Sequence, residues 1–350
     1  MAVMEAERVE AFDAVHARIL RFFPDLVEQL GGDAARLLHM AGIPVDAPSD
    51  GGPETTYRQM IELIGLAARE LDCADFGMRL ARMQSGGKMF GPLGHAMKNS
   101  RTFGDALDYV STHSYAHSLA ARVWLERRPA DDSVFVGHDI LIDRIPDKSQ
   151  AMEQIMLLGN LAAAELTGGH ARVRRVHFRH QPISTPGTYR RHFGCEIRFG
   201  QNEDGAVFLT QDLACPVVDS DAVALDKVTA FIDLHYGRQR TPLHAQARGV
   251  IMQLLWTGQC TNESVSDALK LHPRTLHRRL RDEGTSFQRI KDEVRRDIML
   301  YYLQQTDMDC MRISEKLGFA EQSVMTRICN RWFAASPTQI RAKGQGSTLS

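Results

Sequence analysis

Polar side chains near the C-terminal end recur at a spacing that would let them donate hydrogen bonds to the edges of base pairs. In the stretch from Ser264 to Phe287, Leu276 and Leu280 stand one helical turn apart and are predicted to face a core. The opposite face of that helix then carries Arg274, Thr275, His277, Arg278 and Arg281. Arginine can donate two hydrogen bonds to guanine, so this face is predicted to contact DNA.

A second stretch, from Arg312 to Phe333, repeats the arrangement. Val324 and Ile328 are predicted to be buried there, with Trp332 closing the core. The side chains then left exposed are Gln322, Ser323, Thr326, Arg327 and Asn330. Glutamine and asparagine suit the edge of adenine, whereas arginine suits guanine or phosphate.

Both sets of polar residues need a scaffold that presents them outward. Each stretch predicts a short supporting helix, a tight turn and a second helix, which is a helix-turn-helix unit. A helix predicted from Ser286 to Gln304 joins the two units and would fix their spacing, since neighbouring major-groove segments lie about 34 Å apart. This helix also carries Lys291, Arg295 and Arg296, which either contact phosphate or form ion pairs with Asp292 and Glu293.

Charge is unevenly distributed along the chain. The 350 residues carry a net charge of −1, but 15 Lys and Arg against 11 Asp and Glu lie from Thr261 to Ser350, which leaves −5 for the remainder. This basic excess favours a partner that carries phosphate groups. A hydrophobic content of 43% with 24% charged residues is ordinary for a globular protein, and the length predicts two domains.

Other kinds of site are disfavoured. The six cysteines are scattered without a CxxC pair, which argues against structural zinc and disulfides and favours a reducing cytoplasm. His113 and His117 could share one helix face, but no third ligand follows at a suitable spacing, so no metal site, cofactor or catalytic group is predicted. The N-terminus lacks a signal-peptide pattern, and Ile155–Leu166 is too short to span a bilayer, so no membrane association is expected.

The N-terminal part predicts an α+β domain, because helices come first and short strands follow with one helix inserted. The predicted helices are Ala11–Leu30, Thr56–Leu71, Thr102–Ser114, Lys148–Leu166 and Asp219–Leu234. The predicted strands are Ala121–Leu125, Ser133–Val136, Val173–Phe178, Glu196–Phe199 and Ala206–Leu209. The last helix is either a dimer contact or packs on its own domain. The predicted divisions are a domain at 1–234, a linker at 235–241, an all-α domain at 242–343 and a flexible tail at 344–350.

The C-terminal part resembles the DNA-binding domain of the AraC/XylS family of bacterial transcription regulators. The resemblance rests on PRTLHRRLRDEGTSF in the first unit and on LGF, TR, RW and SP in the second, and it covers about Thr241 to Lys343. It implies that the protein binds promoter DNA and works with RNA polymerase. The chain departs from the family pattern at several positions. Lys270 stands where the family has the turn glycine, His272 replaces a serine, Cys329 a phenylalanine, Ala334 a glycine and Ile340 a tyrosine.

The N-terminal part resembles the effector-binding and dimerisation domain of one branch of that family, often named arabinose-binding. The motifs that carry this likeness are DFGMRLA, GPLGHAMKNSRTFGDALDYV and YRRHFGCEIRFGQ, within about Phe23 to Val218. The branch includes regulators of ornithine, arginine and amine catabolism, so a search for the effector would start with amines and basic amino acids and extend to fatty acids and sugars. The resemblance itself identifies neither the effector nor the residues that bind it. An effector pocket would lie between the sheet and its helices.

The expected function is that of a homodimeric, ligand-responsive activator of a catabolic or metabolic operon. Two alternatives remain open at this point. The first is a dimeric regulator that has no effector. The second is a DNA-repair enzyme in which a cysteine accepts an alkyl group, although the dispersed cysteines disfavour it.

Overall fold

The chain divides into two compact units. The computed structural model describes residues 13–15, 17–48, 55–85, 87–145, 147–236 and 241–346. The first unit comprises Met1–Ile140 and Lys148–Thr241, and the second comprises Pro242–Ser350 together with the short segment Leu141–Asp147. The predicted linker at 235–241 overlaps a helix that ends at Tyr236, and its residues 237–240 lie outside the described residues. The predicted tail likewise begins within a helix that ends at Gly346, and 347–350 lie outside the described residues.

Short helices form the beginning of the first unit. They are α1 (Phe23–Gln29), α2 (Ala34–Met40), α3 (Tyr57–Glu70), α4 (Phe76–Gln84), α5 (Pro92–Asn99) and α6 (Phe103–His113). The helices predicted at Thr56–Leu71 and Thr102–Ser114 are confirmed as α3 and α6. Each begins after a threonine whose hydroxyl accepts the backbone amide three residues later, which satisfies one of the unpaired donors of the first turn.

The single helix predicted from Ala11 to Leu30 is wrong. Ala14–Val15 forms β1, which pairs with β2 (Thr55–Thr56), and the helix begins only at Phe23. Phe22 has a φ of 66°, and Pro24 lies in the first turn of α1. Proline is accommodated in a first turn but not in a helix interior, so the apolar periodicity runs across a break that Pro24 imposes. Residues 11 and 12 lie outside the described residues.

A five-stranded sheet completes the α+β fold of the first unit. Its strands are β3 (Ala121–Arg128), β4 (Ser133–Ile140), β5 (Arg175–His177), β6 (Glu196–Arg198) and β7 (Gly205–Leu209), in the order β3-β4-β7-β5-β6. Only the β5–β6 pair is parallel. All five predicted strands are therefore confirmed in place. The remaining helices are α7 (Ser149–Leu166), α8 (Pro186–Phe193) and α9 (Ala222–Tyr236).

The second unit is helical around one apolar core. Its helices are α10 (Leu243–Leu254), α11 (Asn262–Ala268), α12 (Pro273–Asp282), α13 (Phe287–Gln305), α14 (Cys310–Lys316), α15 (Gln322–Phe333) and α16 (Pro337–Gly346). These form two helix-turn-helix units, α11–α12 and α14–α15, joined by α13. One apolar core contains Leu276 and Leu280 of α12 as well as Met325 and Cys329 of α15, so both helix-turn-helix units pack against the same core. No helix in the described ranges is long and apolar enough to cross a membrane.

The buried side of α15 differs from the prediction. Met325 and Cys329 are fully buried, whereas Val324 and Ile328 are only partly covered. The sequence VMTRIC offers two apolar pairs at the same four-residue spacing, so periodicity alone does not decide between them. Packing against the shared core selects the second pair. Trp332 is partly buried against that core.

Candidate nucleic-acid interface and ligand cavity

The turn of the first helix-turn-helix unit is built without glycine. Lys270 adopts a φ of 54°, the left-handed conformation that glycine adopts most easily. His272 takes over the helix cap, because its Nδ1 accepts the backbone amide of Arg274 at 3.2 Å. Pro273 then occupies the first turn, where a missing N–H is not needed. Both departures from the family pattern therefore preserve the geometry of the turn.

The polar face of α12 lies opposite a fully buried pair. Leu276 and Leu280 are 0% exposed, as predicted. Since successive residues turn about 100° around a helix, Arg278 stands opposite the middle of that pair. Arg274, His277 and Arg281 flank Arg278 and are exposed, and Thr275 is half-buried at the edge. The guanidinium groups of these three arginines have no hydrogen-bond partner within the described part of the chain.

The second unit reaches an equivalent geometry with different residues. Gly318 supplies the left-handed turn with a φ of 61°, and Asp309 caps α14 by accepting the amide of Arg312 at 2.8 Å. Around α15, Arg327 stands opposite the buried pair Met325 and Cys329. The five residues predicted to contact DNA line one shallow open groove: Gln322, Ser323, Thr326, Arg327 and Asn330.

The two outward faces correspond position by position. In each helix, an arginine lies midway in sequence between the two buried residues and therefore on the opposite face. Arg278 of α12 thus corresponds to Arg327 of α15. The positions around that shared arginine are Arg274, His277 and Arg281 in α12 and Ser323, Thr326 and Asn330 in α15. One face is therefore strongly basic, whereas the other is mostly uncharged and polar.

Two basic side chains of the connecting helix α13 hold the two units in place. Lys291 donates to the carbonyl oxygen of Cys260 at 2.5 Å, directly before α11. Arg295, one turn later, donates to the carbonyl oxygens of Leu317 and Gly318 at 2.8 and 2.7 Å, in the second turn. Burial lowers the pKa of both side chains. The predicted ion pairs of Lys291 and Arg295 with neighbouring carboxylates are therefore wrong, because both side chains bind backbone carbonyls instead, whereas contact with phosphate stays a prediction.

A carboxylate fixes the end of α12 to the start of α10. Glu283 accepts the backbone amides of Leu243 and His244 at 2.9 and 2.8 Å, and the His244 ring lies 2.8 Å from the same carboxylate. Burial alone would raise the pKa of Glu283, but these hydrogen bonds outweigh it and hold that pKa below its ordinary value. The end of α12 is therefore tied to the scaffold while its outward face stays exposed.

A cavity of about 120 Å³ lies inside the first unit, between the sheet and the helices. Strands β3, β4 and β7 and helices α3, α5, α6 and α7 contribute to its walls. Most lining side chains are apolar, among them Leu93, Phe103, Ile155, Met156 and Phe208. This is the place where the sequence led us to expect an effector pocket.

Two buried polar side chains and a half-buried histidine meet at one part of this cavity. The hydroxyl of Tyr57 lies 3.5 Å from Nε2 of His138, and the ring of His117 makes edge contacts with Tyr57 and Phe90. Burial lowers the pKa of His138 to about 4, so that imidazole is neutral near pH 7. It also raises the pKa of Tyr57 above the usual range. The cavity therefore offers uncharged hydrogen-bonding groups.

His113 and His117 do not share a helix face. His113 ends α6, where its Nδ1 lies 2.9 Å from the carbonyl oxygen of Tyr109, and His117 follows a separate 3-10 turn. The predicted helical spacing is therefore wrong. Among the described residues, no group of three or more His, Cys, Asp or Glu is placed to hold a metal ion.

Comparison with known proteins decides the family. Residues 31–217 match the arabinose-binding domain of AraC transcription regulators, and residues 265–343 match a helix-turn-helix domain. The transcriptional regulator VirS of Mycobacterium tuberculosis is 31% identical over 96% of this chain and 98% of its own length. The chain belongs to the AraC family of transcription regulators. Its second unit is the family's DNA-binding domain.

Two further transcription regulators match a part of the chain, and one solved structure spans most of it. The ornithine utilization regulator of Pseudomonas aeruginosa is 32% identical over 23% of each chain. The urease operon transcriptional activator of Escherichia coli is 31% identical over 24% of this chain and 29% of its own. The crystal structure of CdpR from Pseudomonas aeruginosa covers 90% of this chain and 97% of its own, with 18% identity and a TM-score of 0.43.

Some residues of this AraC-family chain escaped the sequence analysis. Tyr57 and His138 are separated by eighty-one positions and meet only in the folded domain. The cap that Glu283 provides for α10 is likewise invisible to local patterns. A signal existed for Arg295, because a basic residue on the partly buried side of α13 needs internal acceptors.

Proposed function

We propose that the protein is a homodimeric transcription activator that binds promoter DNA through both α12 and α15 and responds to a small effector held in the first unit. The observation that carries the proposal is the pair of corresponding outward faces, each with an arginine opposite its buried pair. Lys291 and Arg295 support the proposal, because they bind α13 to both helix-turn-helix units and so fix the spacing of α12 and α15. A regulator of this kind acts in the cytoplasm, where promoter DNA and RNA polymerase are located.

In this proposal, α12 and α15 lie in successive major-groove segments. Arg278 and Arg327 donate to guanine from the centre of each face, and a good bidentate pair contributes roughly 1–3 kcal/mol of discrimination. The residues that complete the two faces are Arg274, Thr275, His277 and Arg281 on α12, and Gln322, Ser323, Thr326 and Asn330 on α15. Amide side chains suit adenine, and the additional arginines suit phosphate or guanine.

Selection of binding sites from randomised DNA tests this proposal with the full-length protein. We expect one preferred motif for the unchanged protein, and Arg278→Ala and Arg327→Ala should each relax preference in a different part of it. The matched control is Arg101→Ala, since Arg101 is an exposed arginine of the first unit. The same motif from all four proteins would contradict the base contacts, and no motif at all would contradict specific DNA binding.

The exposed side of α9 supports the homodimer. Val223, Phe231 and Leu234 are 62%, 45% and 79% exposed and share one side of the helix, opposite the fully buried Ile232. An exposed apolar stripe of this kind marks an interaction surface, and two copies related by a twofold axis can cover each other's stripe. Leu234→Asp should shift the mass in sedimentation toward the monomer. Val45→Asp changes a similarly exposed side chain elsewhere and should not.

The chemistry of the cysteines supports a role without catalysis. An alkyl-accepting repair enzyme needs an activated thiolate, which a lowered thiol pKa provides. Burial instead raises the pKa of Cys73, Cys195 and Cys329 to about 11, and it also raises that of Cys260. These thiols are protonated near pH 7, so regulation rather than alkyl transfer is the proposed role.

A further inference from the structure

The residues around the cavity of the first unit limit the charge that a ligand can carry. None of the described residues that line it is an Asp, Glu, Lys or Arg. Asp139 follows His138 in β4 but is engaged by Arg179 at 3.2 Å and by Arg122 at 3.7 Å. Asp13 lies near Tyr57 but not in the wall, and burial raises the pKa of Asp13 to about 6. With a pKa of about 6, Asp13 still carries charge near pH 7, but it does not line the cavity, so a cationic ligand would lose its hydration without gaining a direct contact with a carboxylate.

Four polar residues line the cavity, Tyr57, Ser114, His117 and His138, and the pair Tyr57 and His138 suits one uncharged function on a ligand. The Tyr57 hydroxyl and the neutral His138 ring stand 3.5 Å apart, at the long limit of a hydrogen bond, so each retains bonding capacity. A hydroxyl or carbonyl oxygen on a ligand can bond to both. A sugar carries hydroxyl groups all around its ring, and those that point away from the polar side chains would face Leu93, Phe103, Ile155 or Met156 without a partner.

The size and the opening of the cavity limit the ligand further. Its volume of about 120 Å³ is close to that of engineered apolar cavities of roughly 150 Å³, which hold benzene. Gly159 of α7 lines the cavity and is itself exposed, and no heavy atom lies within 4 Å of the position a Cβ would take. Gly159 therefore marks the mouth through which a ligand enters.

We infer that the effector is a small, uncharged and largely apolar molecule of about benzene size that carries one hydroxyl or carbonyl group. This inference rests on the proposed effector role of the cavity and deepens it. It replaces the expectation of amines and basic amino acids, which came from resemblance alone.

Titration calorimetry on the full-length protein tests the ligand class. Benzyl alcohol and ethylbenzene are matched probes, because one replaces a hydroxyl by a methyl group of similar size. Putrescine, arginine and arabinose represent the competing classes. We expect benzyl alcohol to bind at least about tenfold more tightly than ethylbenzene, with no heat from the three charged or polyhydroxylated probes. Tyr57→Phe should remove the tenfold preference and leave ethylbenzene binding within about twofold, which a general loss of folding would not do.

A second variant tests the location. Gly159→Leu should abolish binding of both apolar probes by filling the mouth, and leucine also suits a helix better than glycine. Gly65→Leu is the control, since Gly65 lies in α3 away from the cavity and its Cβ would meet only the flexible end of Arg69. Binding that survives Gly159→Leu overturns the site. Binding of putrescine or arginine, or of none of the probes, overturns the ligand class. Gel shifts of the unliganded protein on promoter DNA separate either result from a failure of the proposed DNA-binding role.

Discussion

The two helix-turn-helix units share a geometry but differ in charge. Arg278 and Arg327 occupy the same position opposite a buried pair, yet Arg274 and Arg281 of α12 correspond to the uncharged Ser323 and Asn330 of α15. Electrostatic attraction to phosphate and hydrogen bonding to bases are different contributions to binding, and only the first depends steeply on salt. The difference teaches that one scaffold, used twice, can divide affinity and base discrimination between its two copies.

The largest expected effect comes from replacing the two flanking arginines of α12 by alanine. Arg274→Ala with Arg281→Ala should lower affinity for promoter DNA on the order of a hundredfold at low salt. It should also reduce the slope of log affinity against log salt by about 1.8, which corresponds to two lost phosphate contacts. Fluorescence anisotropy over a salt series measures both quantities.

The corresponding double variant of α15 is the matched control. Ser323→Ala with Asn330→Ala removes hydrogen-bonding groups but no charge, so it should leave the salt slope unchanged while it weakens base preference. Equal slopes for the two double variants would break the proposed division between the units.

A smaller effect is expected where α13 holds each unit. Arg295→Ala removes two hydrogen bonds to carbonyl oxygens and the packing of the guanidinium 4.4 Å from the centre of the Phe319 ring. We expect a loss of about 2–3 kcal/mol in the free energy of unfolding. Lys291→Ala removes one such bond and should cost about half as much. Urea unfolding measures both changes. A larger loss for Lys291→Ala than for Arg295→Ala would show that the first helix-turn-helix unit depends more on α13 than the second does.

The smallest effect concerns the two turns. Lys270→Gly should stabilise the protein by about 0.5–1 kcal/mol, because a left-handed backbone strains a lysine, although the greater freedom of glycine in the unfolded chain offsets part of the gain. Gly318→Ala should destabilise it by about 1 kcal/mol, since its Cβ would also approach the carbonyl oxygen of Leu255 to 3.3 Å. Thermal unfolding of both variants measures this. A destabilising Lys270→Gly would show that the lysine side chain itself contributes.

The buried face of the first helix-turn-helix unit was easier to predict from the sequence than that of the second. In α12, polar residues surround Leu276 and Leu280, so only one helical phase buries an apolar pair. In α15, apolar residues come in adjacent pairs, and the core contacts of Met325 and Cys329 decide the phase. The polar residues predicted to contact DNA still lie away from the core. Moving the buried pair by one residue along the sequence rotates the buried face by only about 100° around the helix.

The fold of the N-terminal unit could be predicted from the sequence, but its cavity could not. Its strands follow β-type residue runs, whereas the break before α1 depends on Pro24. The residues that line the cavity come from many segments between Ile19 and Phe208, and no local sequence pattern predicts that these segments meet. The contact between Tyr57 and His138 arises from tertiary packing alone.

The segment Leu141–Asp147 belongs to the second unit although the chain around it belongs to the first. A chimera that joins two related chains at residue 241 would therefore take Leu141–Asp147 from one parent and residues 242–346 from the other. Its second unit would then be assembled from two different parents. Chimeras should therefore take Leu141–Asp147 from the same parent as residues 242–346.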